Sequence, residues 1–425
     1  MQNKTILSFR PFTHEGRQNI ILIALAVFYL TQFSLDAFVW KIMCGNLGGD
    51  YCAYWSAAKI ANNGGYAEMY NLDKLRGIQR LISPTNLPFA TRPVAYLPVF
   101  IVPFQILSFL GPFLGYCVWT IINLITFIFY MRYFAQNVTQ RPLDTRLLIM
   151  ALLSLPFFMN IFFGQVNIWL TICIGEHLRA VLADKPFKAG AWLGGLFIKP
   201  HYLVFIIIAL AMQRYGKIIA GFMTSSAVIV GVSLLMSGID GFKALVQLWL
   251  GYTGDLATAD PFIMMNWRMV GVNLVTYLGP LISWMIAGIG MAITLVMTIY
   301  IWRHPILPAS PAYAIALLGT LAATTALMWH SHIFSATILL APIMFLSQER
   351  DLLPKKILSI WVIVPPIINF TVIVIALLLR GRGLAINPGG LFNLLNSGSQ
   401  LGVNMYMLYW TTTKLRNPYA LIQPE

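Results

Sequence analysis

The sequence predicts an all-α integral membrane protein that crosses the bilayer many times, and three observations carry that prediction. Of its 425 residues 58% are hydrophobic and only 10% charged, with a mean hydropathy of +0.74, whereas soluble domains carry about 25% charged side chains. Apolar runs long enough to cross a hydrocarbon core, roughly 17 to 25 residues each, recur between positions 20 and 410. The period-2 alternation of a membrane barrel is missing, and backbone in lipid must satisfy its own hydrogen bonds, so the runs are helices.

The first run, 20–38, follows a basic segment with Lys4, Arg10 and Arg17 and has no small-residue cleavage site after it. This predicts a retained first helix with the N-terminus cytoplasmic. Residues 41–92 form the largest polar stretch and are expected outside the membrane. Within it, 51–61 has amphipathic spacing that Gly64-Gly65 ends, which predicts an interfacial helix lying along the membrane. Apolar segments follow at 94–110, 113–131, 147–163, 166–183, 189–213, 217–236, 272–302, 312–328, 333–347, 356–379 and 398–412, for about 11 to 13 crossings. Two places predict broken or re-entrant helices: 104–115, and 189–213, which Lys199-Pro200 interrupts. The short basic loops between spans belong to the cytoplasm by the positive-inside rule, and the polar segments 237–268 and 380–400 join 41–92 on the other side. No charge-rich insert is large enough for a separate soluble domain, so residues 1–425 are one polytopic unit. No internal repeat marks a two-fold transporter.

The formal net charge of +14 does not point to nucleic acid, because the 28 Lys and Arg are scattered through short loops. That pattern serves topology and contact with anionic lipid. Cys44, Cys52, Cys117 and Cys173 contain no CxxC pair and no ligand cluster, so neither a metal nor another cofactor is expected. Cys44 and Cys52 share the first outer loop, either as a disulfide or as two free thiols.

With 14 acidic residues and six histidines, candidate proton acceptors are few. Asp144, Glu176, His177, Asp184, His304, Glu349 and Asp351 fall near predicted cytoplasmic loops, where solvated surface is their simplest role, and Glu425 ends the chain. Asp50 follows Gly48-Gly49 and precedes the aromatics Tyr51, Tyr54 and Trp55, which can stack on a sugar ring. It is placed either to accept a proton from a substrate hydroxyl or to N-cap the helix that follows. Asp36, inside the end of an apolar helix, must face a cavity or a partner. Asp255 and Asp260 lie in the second outer segment. His330 and His332 stand where a helix meets the outer face; at i, i+2 they point to different sides of a helix, which disfavours joint metal binding. Gln165 and Asn167 place two amides in a tight turn, able to bind hydroxyls or freed backbone groups. Lys199 and Arg268 are the cations best placed for a lipid-borne phosphate, with loop solvation or helix carbonyls as the plainer roles.

Taken in order, several stretches resemble glycosyltransferase family 87, the polyprenol-phosphate-mannose-dependent transferases of the GT-C class. These are Gly49-Asp50-Tyr51 through Ala57-Ala58 to Gly65, Met69-Tyr70-Asn71, Tyr96-Leu97-Pro98 with Pro103, and Gly164-Gln165-Val166-Asn167. Further on come the run ending in Lys199-Pro200, Asn266-Trp267-Arg268, and Trp329 to His332 before Pro342. The resemblance implies a GT-C-type bundle, with 1–215 as catalytic module and 216–425 as additional helices. It also implies an inverting transfer of a sugar, mannose in the family, from a polyprenyl-phosphate donor to a lipid or glycan acceptor at the outer face of the cell membrane. The aspartate after the first helix, here Asp50, becomes the base. The family's late motif resembles Ser-Trp-x-His-His, against Met328-Trp329-His330-Ser331-His332 here, and His332 is taken as the equivalent histidine. Lys199, Arg268, His330, Gln165, Asn167, Asn266, Tyr51 and Tyr54 are expected to contact donor phosphate or sugar. The rival class is a lipid or polyprenyl-phosphate flippase, which requires pseudo-symmetric halves with charges on paired broken helices.

Overall fold

The computed structural model describes residues 14–39, 43–45, 47–83, 91–252, 261–348, 353–381 and 389–416. Among them the chain is helical, and extended pairing is limited to isolated bridges between Met43 and Leu47 and between Met264 and His332. Lys4, Arg10, Lys41, Asp255, Asp260, Glu349, Asp351 and Glu425 lie outside the described residues.

Among the described residues five helices have the length and apolarity to cross a membrane by themselves: Gln18–Phe38, Pro112–Thr139, Gly216–Gly251, Trp267–Ile301 and Lys356–Ala376. Thr145–Leu152 and Leu155–Phe163 make a sixth if the pair, bent by 54°, is one span. Where composition predicts 11 to 13 crossings, the rest of the apolar sequence forms shorter helices, among them Pro98–Leu107, Pro200–Met212, Pro311–Leu327 and Ile333–Gln348. Long helices expose large apolar side chains, such as Met223, Val228 and Leu235 on one and Leu281, Met285, Ile289 and Val296 on another. Shorter ones fill the interior; residues 312–326 are buried without interruption. Outward apolarity around a packed centre is the arrangement a lipid solvent selects, so the chain is a multi-pass membrane protein.

Close helix approach depends on small residues, because lipid tails provide no hydrophobic drive between helices. A Cβ at Gly190, in the Pro186–Leu193 helix, would overlap the backbone carbonyl of Ile218, and one at Gly221 would overlap that of Phe187. This contact fixes the helix that leads, through the turn Gly194–Ile198, to Lys199. The predicted interruption at Lys199-Pro200 is present: two 3-10 turns, Gly194–Ile198 and Pro200–Tyr202, flank Lys199 before the helix Leu203–Met212 begins. The break near 104–115 is also present, between Val102–Leu107 and Pro112–Thr139.

Three expectations need correction. The helix predicted at 51–61 exists as Gly49–Gly64, but it is buried on almost every face rather than lying wet on one side. The amphipathic helix of this region is Leu72–Ile82, whose buried residues are Leu75 and Gln79 alone. The polar stretch 237–268 begins inside a helix that turns at Gly238 and continues to Tyr252, and 380–400 is largely the start of the helix Gly389–Lys414. Glu176 and His177 are not solvated surface but buried: the carboxylate pairs with Arg179, and the imidazole lies 2.9 Å from the Ala189 carbonyl and 2.7 Å from the Tyr313 hydroxyl. Pairing of this kind is what makes a charge tolerable in the interior. Of the two alternatives for the outer-loop cysteines, the disulfide is realised: Cys44 and Cys52 are joined, with Cα atoms 5.4 Å apart.

Gly190→Val should cost about 1–3 kcal/mol, the usual range for overpacking. The expected readout is a lower unfolding temperature in detergent, since the displaced helix anchors the turn that leads to Lys199. A wild-type unfolding temperature would contradict the packing described.

Candidate active site

Asp50 sits in the first turn of the Gly49–Gly64 helix, but it does not cap that helix. The N-cap is Gly48, whose backbone has φ 65°, and no side chain caps the turn. The Gly48 N–H donates to the carbonyl of Phe162 at 2.7 Å, tying the turn to the end of the Leu155–Phe163 helix. That helix stops at Gly164, also left-handed at φ 69°, where a Cβ would overlap Cβ of Tyr51. Glycine at this position therefore permits both the helix stop and the approach of the Asp50 helix.

The turn delivers Gln165 directly to the carboxylate. Its Nε2 donates to Asp50 Oδ2 at 2.7 Å, while its Oε1 accepts from Lys199 Nζ and from the Tyr54 hydroxyl, each at 3.0 Å. Asn160 holds the turn: its Nδ2 donates to the Gln165 carbonyl at 3.3 Å and its Oδ1 accepts from the Asn167 N–H at 3.1 Å. Asn167 Oδ1 accepts a second bond from Lys199 Nζ at 3.0 Å. The Lys199 ammonium also lies 4.9 Å from the centre of the Phe334 ring, a cation–π contact.

Across the same cavity, of about 580 Å³, stand Arg268, Trp329, His330 and His332. Arg268 is buried with its guanidinium 4.3 Å over the Trp329 ring; its Nη1 donates to the Trp329 carbonyl at 3.4 Å, and its buried Nε has no hydrogen-bond partner among the described residues. The two imidazoles meet edge to face, 5.0 Å between centres. Their turn is fixed by Asn266, whose Oδ1 caps the Trp267–Ile301 helix and whose Nδ2 donates to the Met328 carbonyl at 2.7 Å. The Met265 N–H adds a bond to the Ser331 carbonyl at 2.8 Å.

The cavity wall thus includes Asp50, Tyr54, Gln165, Lys199, Arg268, His330 and His332. Three other expected contacts do not reach it. Tyr51 is fully buried against Tyr116, ring centres 5.8 Å apart; Asn167 stands behind Lys199; and Asn266 is spent on capping and on the 328–332 turn. Asp36 is buried in the turn Leu35–Val39, away from the cavity wall. Arg92, Tyr96, His201 and Trp249 also line the cavity, and Arg92 and His201 carry chemistry that the sequence reading passed over. His201 follows Lys199-Pro200 directly, so the broken helix itself signalled it. Among the described residues no three of His, Cys, Asp and Glu converge to hold a metal ion.

His330 lies in the turn outside the helices, and burial, then the charge of Lys199, push its pKa down to about 4; Arg268 adds to this and Asp50 opposes it. Burial and the neighbouring His330 likewise hold His332 well below its ordinary range. Both imidazoles are therefore neutral near pH 7, each able to donate or accept one hydrogen bond.

The arrangement defines a class: a polytopic membrane protein with an interior cavity lined by one carboxylate and several cations. The family model for glycosyltransferase family 87 matches residues 95–329, more than half of the chain, and the chain belongs to that family: it is a glycosyltransferase. Gln165, Lys199 and Arg268 lie inside the matched stretch; Asp50 precedes it, and His330 and His332 follow it. No curated protein and no solved structure matches the chain significantly.

An unfolded histidine titrates near 6.5 and folded His330 near 4. Between those values the unfolded chain binds more protons, so folding stability is complete above pH 6.5 and falls as pH drops toward 4. The unfolding temperature in detergent should decline across this window, and more gently in His330→Gln. Superimposable profiles would show that His330 is not held neutral by the fold.

Proposed function

We propose that the chain transfers a sugar from a polyprenyl-phosphate donor to the hydroxyl of a lipid or glycan acceptor, with inversion at the anomeric carbon. The observation that carries this reading is one cavity lined by both Asp50 and Arg268, the latter a buried guanidinium whose Nε has no hydrogen-bond partner among the described residues. A buried cation with free donors is a receptor for an anion, and a carboxylate across the same cavity is placed to take a proton.

In the proposed reaction an Asp50 oxygen accepts the acceptor hydroxyl proton while that hydroxyl oxygen bonds to the anomeric carbon. The bond from this carbon to the phosphate oxygen breaks, and the polyprenyl phosphate leaves with the electron pair. Arg268 stabilises the charge gathering on the phosphate. Lys199 has two of its three N–H groups engaged by Gln165 and Asn167, which leaves one for the ligand. His330 and His332, neutral, line the cavity beside these cations, and Tyr54 closes the sugar side beside Tyr96, their hydroxyls 3.1 Å apart. Family resemblance favours mannose as the sugar, and the pattern of basic loops favours a plasma-membrane protein with its N-terminus inside and this cavity open to the outer face. The flippase alternative loses ground because the polar groups converge on one cavity and the family is one of transferases.

Membranes containing the protein should move label from radiolabelled polyprenyl-phosphate mannose into an endogenous lipid or glycan pool. Asp50→Asn should lower the rate by about 100- to 10,000-fold, the usual contribution of a general base, at unchanged expression. Retained turnover in that variant would remove Asp50 from the reaction, and a wild-type protein inert toward every polyprenyl-phosphate sugar offered would refute the donor class.

A further inference from the structure

Arg92 is anchored more thoroughly than a ligand-gathering side chain requires. Its backbone is gripped at both polar groups by one buried amide: Gln79 Nε2 donates to the Arg92 carbonyl at 2.8 Å, and the Arg92 N–H donates to Gln79 Oε1 at 2.9 Å. Gln79 is one of the two buried residues of the amphipathic helix Leu72–Ile82, so this grip is that helix's main polar contact with the bundle. The guanidinium then reaches across two further segments. Nη2 donates to the Gly45 carbonyl at 2.8 Å, inside the loop that the Cys44–Cys52 disulfide closes, and Nη1 meets Asp50 Oδ1 at 3.4 Å. Space for it exists because position 49 is glycine: a Cβ there would overlap the guanidinium.

These contacts come from independent features of the chain and converge on one carboxylate. Gln165 holds Oδ2 from one side and Arg92 holds Oδ1 from the other. A side chain on the first turn of a helix otherwise has rotamers that point away from the cavity. We propose that Arg92 is the positioning residue of Asp50, a strut between the Gln79 helix, the disulfide loop and the carboxylate that fixes the direction in which the carboxylate faces the acceptor. The inference rests on Asp50 being the proton acceptor. It separates Arg92 from Arg268, whose buried Nε is unspent, and assigns the two guanidinium groups different tasks.

The test compares wild type, Arg92→Gln, Arg92→Lys and Gln79→Leu in detergent, using synthetic radiolabelled polyprenyl-phosphate mannose as donor. A misdirected base costs turnover rather than donor affinity, so Arg92→Gln should lower kcat by roughly 10- to 100-fold with donor KM nearly unchanged. Lysine can pair with Asp50 but cannot also fork to Gly45, so Arg92→Lys should recover part of the loss. Gln79→Leu, which frees the strut without removing it, should lower kcat in the same direction. A readout independent of turnover is carbodiimide labelling at Asp50 at one fixed pH, counted by peptide mass spectrometry. It should rise severalfold in Arg92→Gln and stay near wild type in Arg92→Lys. Unchanged labelling, or a raised donor KM with kcat retained, would overturn the proposal, the second by making Arg92 a donor ligand. If wild type transfers nothing, the transferase chemistry proposed above fails, while the labelling still decides whether Arg92 holds Asp50.

Discussion

The site depends on one amide that has only one acceptable orientation. A lysine ammonium can donate hydrogen bonds and cannot accept them, so Gln165 must turn Oε1 toward Lys199, where it also accepts from Tyr54. Its NH2 is thereby turned toward Asp50, and the 2.7 Å bond to Oδ2 follows. The ammonium and the carboxylate do not touch; they act on one another through an aligned dipole. Removing the ammonium would free Gln165 to turn and loosen its bond to Asp50, so three segments far apart in the chain depend on one another.

Such a unit is expensive inside a membrane protein, and the fold meets the cost where its helices break. Irregular backbone in a bilayer is tolerable only where it lines a cavity or is buried in protein. Three breaks obey that rule: the left-handed stop at Gly164, the 3-10 turns around Lys199, and the 328–332 turn held by Asn266 all face or frame the same cavity. Away from it, several polar side chains bond to backbone carbonyls. Thr320 and Thr324 return their hydroxyls to carbonyls four residues back, and Thr171 bonds both Asn167 and Thr337 carbonyls. Glu176–Arg179 and His177–Tyr313 are closed pairs, so their burial speaks of packing rather than chemistry.

What the sequence made legible follows from which interactions are local. Composition and run length identify a helical membrane protein, because hydropathy is a sum over neighbours. The Lys199-Pro200 break and the Gly164 turn are equally local, since proline and glycine act on their own backbone. The grouping of Asp50, Gln165, Lys199 and Arg268 was available only through resemblance, as no spacing rule links residues spread from position 50 to position 268. Burial is also non-local: nothing in 51–61 distinguishes a helix lying wet at an interface from one wrapped by protein, and the amphipathic pattern there misled. Arg92 was hidden for a related reason. At the end of a long polar stretch it reads as one more solvated cation, and its partners Asp50, Gly45 and Gln79 lie 42, 47 and 13 residues away.

The three cations of the cavity are alike in sequence and unlike in what they have left to give. Lys199 is drawn into two amide oxygens and an aromatic face, and Arg92 into a carbonyl and a carboxylate, so much of the charge of each is already compensated by the protein. Arg268 rests on an indole with one long bond to a carbonyl and a silent Nε. A guanidinium stacked on a ring keeps its in-plane donors free, and those donors suit the oxygens of a phosphate better than an ammonium does. In the proposed transfer, then, the carrier's charge is met chiefly at Arg268, while Arg92 directly and Lys199 through Gln165 hold the carboxylate from its two sides. In that proposal the two halves of the chemistry, accepting a proton and releasing an anion, fall to different residues lining one cavity.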